Sequence, residues 1–232
     1  MLTPSSGSKW TRKASGMLCG AVVLLAQIPS LQANDLSATL TLTSDYVFRG
    51  ISLTDGPALQ GSIDYAFDNG FNIGSWTSNY DYDSPADQEL DYYMTYSRGL
   101  NNDITLSAGA SRYTFFHEHE IDYNEYQLGL SHGPLDVKAW YATDYNGLNG
   151  DAQYYEFGFN SELPMDVSLE LRVGHSVFDT KIGINDYTDF LLSAKKTFGR
   201  FDSEIRLTDT DENQFGDRED FRILVSVSTT FQ

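Results

Sequence analysis

From residue 36 onward, apolar and polar residues alternate along the chain with a period of two. Leu36, Ala38, Leu40, Leu42, Tyr46 and Phe48 share one face of an extended segment, and Ser37, Thr39, Thr41, Thr43, Asp45 and Arg49 share the other. Successive side chains of a strand point to opposite sides, so this pattern predicts strands with one apolar and one polar face. It returns at Leu59, Ile63, Tyr65 and Phe67 against Gln60, Ser62 and Asp64, and at Leu90, Tyr92, Met94 and Tyr96 against Glu89, Asp91 and Thr95. Further along, apolar faces form at Ile104 to Ala110, at Tyr126, Leu128 and Leu130, and at Val137, Ala139 and Tyr141. Others follow at Tyr155 to Phe159, Val167 to Val173 and Phe201 to Leu207. Two segments carry apolar residues on both faces: Phe71 to Tyr80 and Tyr187 to Phe198. The count is about 12 strands, each near the ~9–11 residues that a tilted strand needs to cross a bilayer.

The links between strands fall into two alternating kinds. Asp68-Asn69-Gly70, Gly99 to Asp103, Gly133-Pro134, Leu163-Pro164 and Gly199-Arg200 are short. Asn and Gly tolerate the positive φ angles of tight hairpins. Asp81 to Gln88, Phe116 to Asp122, Asn146 to Ala152, Asp179 to Asn185 and Asp209 to Asp220 are longer and more polar. Short turns on one side and long loops on the other are the signature of an outer-membrane barrel, and a soluble sandwich has no reason to sort its loops so. The last segment agrees: Phe221, Ile223, Val225, Val227, Thr229 and Phe231 form one face that runs to the terminus. Such a strand closes a sheet on its first strand and leaves no edge.

The first 33 residues break the pattern. Lys9, Arg12 and Lys13 precede an apolar run from Met17 to Ile28, then Pro29 and Leu31-Gln32-Ala33. That order predicts a secretory signal peptide cleaved after Ala33, with a run too short to span a bilayer as a helix. Cys19, the only cysteine, lies inside it and lacks the preceding apolar run of a lipid-anchor site, so the mature chain would carry no thiol. Removing three of 15 basic residues, with all 33 acidic ones retained, leaves a net charge of −21. Nucleic acid is excluded as a partner because it needs a basic face. Strong acidity also suits disordered chains, but those are poor in aromatics, whereas this one holds 15 Tyr and 14 Phe. An acidic chain rich in Tyr and Phe fits a barrel that hides its apolar residues at every second position.

The stretch Ser44-Asp45-Tyr46-Val47-Phe48-Arg49-Gly50-Ile51-Ser52, followed by Pro57-Ala58-Leu59-Gln60-Gly61, resembles the opening motif of the TorF family of porins. Gly70-Phe71, Gly74-Ser75-Trp76, Ser78-Asn79, Glu89-Leu90-Asp91-Tyr92 and, more loosely, Asp186 to Asp189 are also similar. The resemblance is dense over residues 44–81 and departs at Asp45, where the family pattern has Asn. It implies an outer-membrane location and a porin role, and brings neither catalytic residues nor a named solute.

The polar faces supply the candidate site. Arg49, on the polar face of the first segment, is expected to project into the lumen, either setting ion preference or pairing with an acid such as Asp64 or Asp91. The remaining pore-lining candidates are Glu125, Lys138, Glu156, Glu170, Arg172, Glu204, Arg206 and Arg222. Both signs are present, which fits a wet pore and a plugged lumen alike and predicts no clean ion preference. His117-Glu118-His119-Glu120 would bring two imidazoles to one face if extended, which suits a metal, but in an external loop such charges ordinarily face water. The acidic run from Asp209 to Asp220 lacks EF-hand spacing and reads as a solvated loop. A lipid-modifying enzyme would need Ser and His to converge at the lipid face. His175 and Ser176, like Ser131 and His132, are adjacent and so point apart, and no Gly-x-Ser-x-Gly elbow occurs.

The expectation is an all-β chain: residues 34–232 as one transmembrane antiparallel up-and-down barrel with both termini periplasmic. Its expected function is passive diffusion of small hydrophilic solutes, with no enzyme activity, cofactor or metal. The alternative is a closed barrel with acidic interaction loops. Expected partners are outer-membrane lipids and lipopolysaccharide, small solutes, and the barrel-assembly machinery through the C-terminal strand ending at Phe231.

Overall fold

The computed structural model describes residues 35–82, 84–100 and 103–232. The segment expected to be a signal peptide lies outside the described residues. Twelve antiparallel strands close into one barrel: β1 (Asp35–Thr43), β4 (Ala58–Ala66), β5 (Phe71–Asn79), β6 (Gln88–Gly99), β7 (Ile104–Phe115), β8 (Tyr123–His132), β9 (Leu135–Thr143), β10 (Ala152–Leu163), β11 (Val167–Phe178), β12 (Tyr187–Phe198), β13 (Phe201–Thr210) and β14 (Arg222–Phe231). Each pairs with its sequence neighbour. β1 closes the ring on β14, with Ala38 opposite Phe231 and Leu42 opposite Val227. Closure pairs both edges, as a membrane interior requires.

The period of two sets the two faces. Leu40, Leu128 and Ile205, one from each third of the barrel, are 52, 64 and 55 % exposed on the outside. Their neighbours Thr41, Gln127 and Arg206 point inward. Large apolar residues left outside on every strand make sense only against lipid, since water would drive them together. The two ambiguous segments are resolved by aromatic and apolar residues that face inward: Trp76 on β5, and Tyr187 and Leu191 on β12.

The first segment departs from expectation. β1 ends at Thr43, and residues 44–57 turn into the barrel as a hairpin, β2 (Val47–Phe48) and β3 (Ile51–Ser52). Tyr46 and Phe48, expected to continue the outward apolar face, are instead buried in the lumen. The turn is Arg49-Gly50, with φ of 44° and 82°. Two positive φ angles make the tight hairpin that matches strand twist. A left-handed non-glycine residue costs roughly 1–2 kcal/mol. Fully burying Phe48, Ile51 and Leu53 contributes roughly 1.5–3 kcal/mol each, which outweighs it.

Candidate functional site: the lumen and its inward hairpin

Thr43, Asp45 and Thr54 hold the base of the hairpin. Asp45 accepts hydrogen bonds from Ser52 Oγ (2.9 Å) and Thr54 Oγ1 (3.0 Å), and the Tyr46 amide donates to Thr54 Oγ1 (2.9 Å). Arg222, a lumen candidate, stands at the loop end and pairs with Asp45 (3.1 Å) and Asp55 (3.4 Å). From the last long loop, Arg218 donates to the Ser52 carbonyl (3.3 Å) and lies over the Tyr82 ring.

Around the hairpin runs a chain of rings. Tyr113 stacks on Tyr123 (4.5 Å between centroids), Tyr123 meets Tyr145 (5.1 Å), Tyr145 meets Phe178 (5.6 Å), and Phe178 meets Tyr187 (6.0 Å). Phe48, Ile51 and Leu53 of the hairpin are buried in the same core. On the wall beside them, Ala58, Ser78, Glu89, Phe115, Ala142 and Ala152 have almost no accessible surface. The loop end of the lumen is therefore closed in this conformation.

Arg49 sits at the hairpin tip. Its partner is Glu125 on β8 at 2.8 Å, not Asp64 or Asp91 as expected, and the two side chains are 6 and 3 % exposed. Tyr113 Oη donates to the other Glu125 oxygen (3.0 Å), and the guanidinium lies 4.1 Å from the centre of the Tyr154 ring. Burial works against the Arg49 charge. Glu125 and the surrounding tyrosines more than offset it, raising its pKa above the ordinary arginine value.

Below the tip the lumen opens into a cavity of about 360 Å³ that reaches the short-turn rim at Thr230 and Gln232. Eight of the candidates line it: Arg49, Asp64, Lys138, Glu156, Glu170, Arg172, Glu204 and Arg206. Arg172 bonds Asp136 (2.9 Å) and Glu156 (2.8 Å) and touches Glu170, and Lys138 pairs with Asp136 (3.1 Å). Asp91, like Glu125, points inward above the cavity and is buried at the level of the rings. Sequence reasoning missed Asp136, Asp189, Lys195 and Asp202, which also face inward, and Trp76 and Trp140, which wall the cavity. Asp136 was findable, because it shares the parity of Lys138, with the outward-facing Val137 between them. Asp189 lies in one of the ambiguous segments.

The two loop motifs fold locally. Residues 117–120 are not extended: His117 pairs with Asp87 (3.0 Å) and His119 with Asp122 (3.6 Å), so the imidazoles do not converge. In the acidic run, Asp211 accepts from the Thr188 amide (2.6 Å) and Glu219 from the Phe215 amide (2.9 Å). Burial raises the Glu219 carboxyl above its ordinary value despite that amide. Among the described residues no group of three or more His, Asp or Glu side chains is arranged to hold a metal.

A closed meander with an apolar exterior and a charged interior cavity has the fold of the outer-membrane porins, and solved structures share it. The KdgM porin is 12% identical, with 84% of this chain and 99% of that one covered at a TM-score of 0.59. The NanC porin is 9% identical over 85% and 100% at 0.60. The COG4313 outer-membrane channel from Pseudomonas putida F1 is 12% identical over 87% and 97% at 0.56. At such identities the likeness is one of fold. No curated protein sequence matches the chain. The chain belongs to the family described as "Bacterial protein of unknown function (Gcw_chp)", whose model matches residues 30–231.

Proposed function

We propose that the protein is an outer-membrane channel for passive diffusion of small hydrophilic solutes or ions, with the hairpin of residues 44–57 as its constriction. The observation that carries this reading is the charged cavity inside a closed barrel with an apolar exterior. A barrel that served only as a scaffold would gain nothing from a water-accessible, ion-paired interior, because burying charges costs more than packing apolar residues. The resemblance to the TorF family adds to it. Residues 1–33 act as the secretory leader. The start of β1 and the end of β14 share the short-turn rim, which faces the periplasm, and the strand ending at Phe231 is read by the assembly machinery. Lipid and lipopolysaccharide cover the outer belt, and no catalytic role is assigned.

A similar barrel has been solved in complex with oligogalacturonate. That polyanion is a poor fit for the present lumen, where acidic groups outnumber basic ones.

The second reading, a permanently closed barrel, is favoured by the tight packing of Phe48, Ile51 and Leu53. Planar-bilayer recording separates the two. The channel reading expects brief openings from the wild type and steady conductance from a variant whose residues 46–53 are replaced by a glycine–serine link. Silence from that variant, with the barrel folded, would establish the closed barrel.

A further inference from the structure

The candidates of both signs give no net preference when read from the sequence, but their pairing does. Every basic side chain in the cavity already has a carboxylate beside it. Arg49 holds Glu125 at 2.8 Å, Lys195 holds Asp202 at 3.0 Å, and Arg206 holds Glu204 at 3.1 Å. Lys138 and Arg172 together face three acids, Asp136, Glu156 and Glu170, which leaves that cluster one charge negative.

Two cavity carboxylates form no salt bridge. Asp64 accepts only neutral hydrogen bonds, from Ser62 Oγ (3.0 Å), Asn72 Nδ2 (3.3 Å) and Tyr93 Oη (2.6 Å). Asp189 accepts from Tyr154 Oη (3.1 Å), and its second oxygen is buried without a hydrogen-bond partner. It stands directly under the hairpin tip, where a Cβ on residue 50 would lie 3.0 Å from its own. A solute that passes a displaced hairpin therefore meets Asp189 first and Asp64 beyond it.

Low-dielectric walls focus the field of such groups onto the lumen, and rings of carboxylates favour cations in pores. We infer that this lumen admits cations in preference to anions, with Asp64 and Asp189 as the residues that set the preference. The inference rests on the channel reading and names the solute class it would pass: inorganic and small organic cations. Paired charges nearly cancel at a distance, so the unpartnered ones decide the sign.

The test is the reversal potential under a KCl gradient, recorded from the wild type and from the variant with residues 46–53 replaced by a glycine–serine link, in which Glu125, deprived of Arg49, is also changed to Gln. Potassium should permeate several-fold more readily than chloride. The isosteric pair Asp64→Asn and Asp189→Asn should bring the ratio at least halfway to one, and raising the salt should weaken the wild-type preference as screening grows. A ratio at or below one, or one that both substitutions leave unmoved, would overturn the inference while leaving the channel intact. Silence from both forms would instead overturn the channel reading, and the inference with it.

Discussion

Arg49 occupies a left-handed backbone conformation, buries its guanidinium against Tyr154 and pairs with Glu125 across the lumen. A residue so placed fastens the hairpin tip to the wall. Removing one partner of a buried ion pair costs about 3–5 kcal/mol, because the other charge is left without compensation. Arg49→Gln should therefore loosen the hairpin while leaving the outer belt untouched. Proteinase K should then cut within residues 44–57 of the folded variant, and not in the wild type. Equal protection of the two would show that Arg49 is not the fastening. Gly50 makes a second test. Its φ of 82° disfavours any side chain, and a Cβ there would press on Asp189 and Thr210. Gly50→Val should expose the same segment to cleavage, and an unchanged digestion pattern would argue against the tight seat.

Among the elements, the strands were legible and the hairpin was not. Twelve strands followed from the period of two, because lipid outside and water inside impose opposite chemistry on successive residues. Tyr46 and Phe48 keep the same parity as Leu40 and Leu42, so periodicity alone could not tell an apolar residue facing lipid from one packed in a plug. Signals of the break were present. A strand from Leu36 to Arg49 exceeds the ~9–11 residues a crossing needs. Arg49-Gly50 and Thr54-Asp55-Gly56-Pro57 are also turn-forming clusters. The lumen candidates were readable as inward residues, but not their pairing, since Arg49 and Glu125 lie far apart in the chain and meet only because the hairpin folds into the lumen. The two faces make their own prediction. Ile63→Arg, facing lipid on β4, should cost about 2–4 kcal/mol near the bilayer midplane. Ser62→Arg, its neighbour facing the cavity beside Asp64, should cost much less. Urea titration of the two variants refolded into lipid vesicles measures the difference, and equal losses would contradict the assignment of faces.

At the scale of the molecule, closure and plugging do different work. Closure pairs every strand edge, so the folded barrel should resist detergent on a gel and shift mobility only on boiling. A protein that migrates identically with and without boiling would not be such a barrel. On the channel reading, the hairpin would decide whether the cavity communicates with both sides, and the interior charges what enters. The most direct measurement locks the plug in place. A Cβ on residue 50 would lie 3.2 Å from that of Thr210, close to the roughly 3.5–4.5 Å that a disulfide spans. In the mature chain, which has no other cysteine once the leader is removed, Gly50→Cys with Thr210→Cys should be silent in a planar bilayer when oxidised and should conduct in steps once dithiothreitol is added. Equal conductance in both states would remove the hairpin from the path, and silence in both would mean that no pore lies behind it.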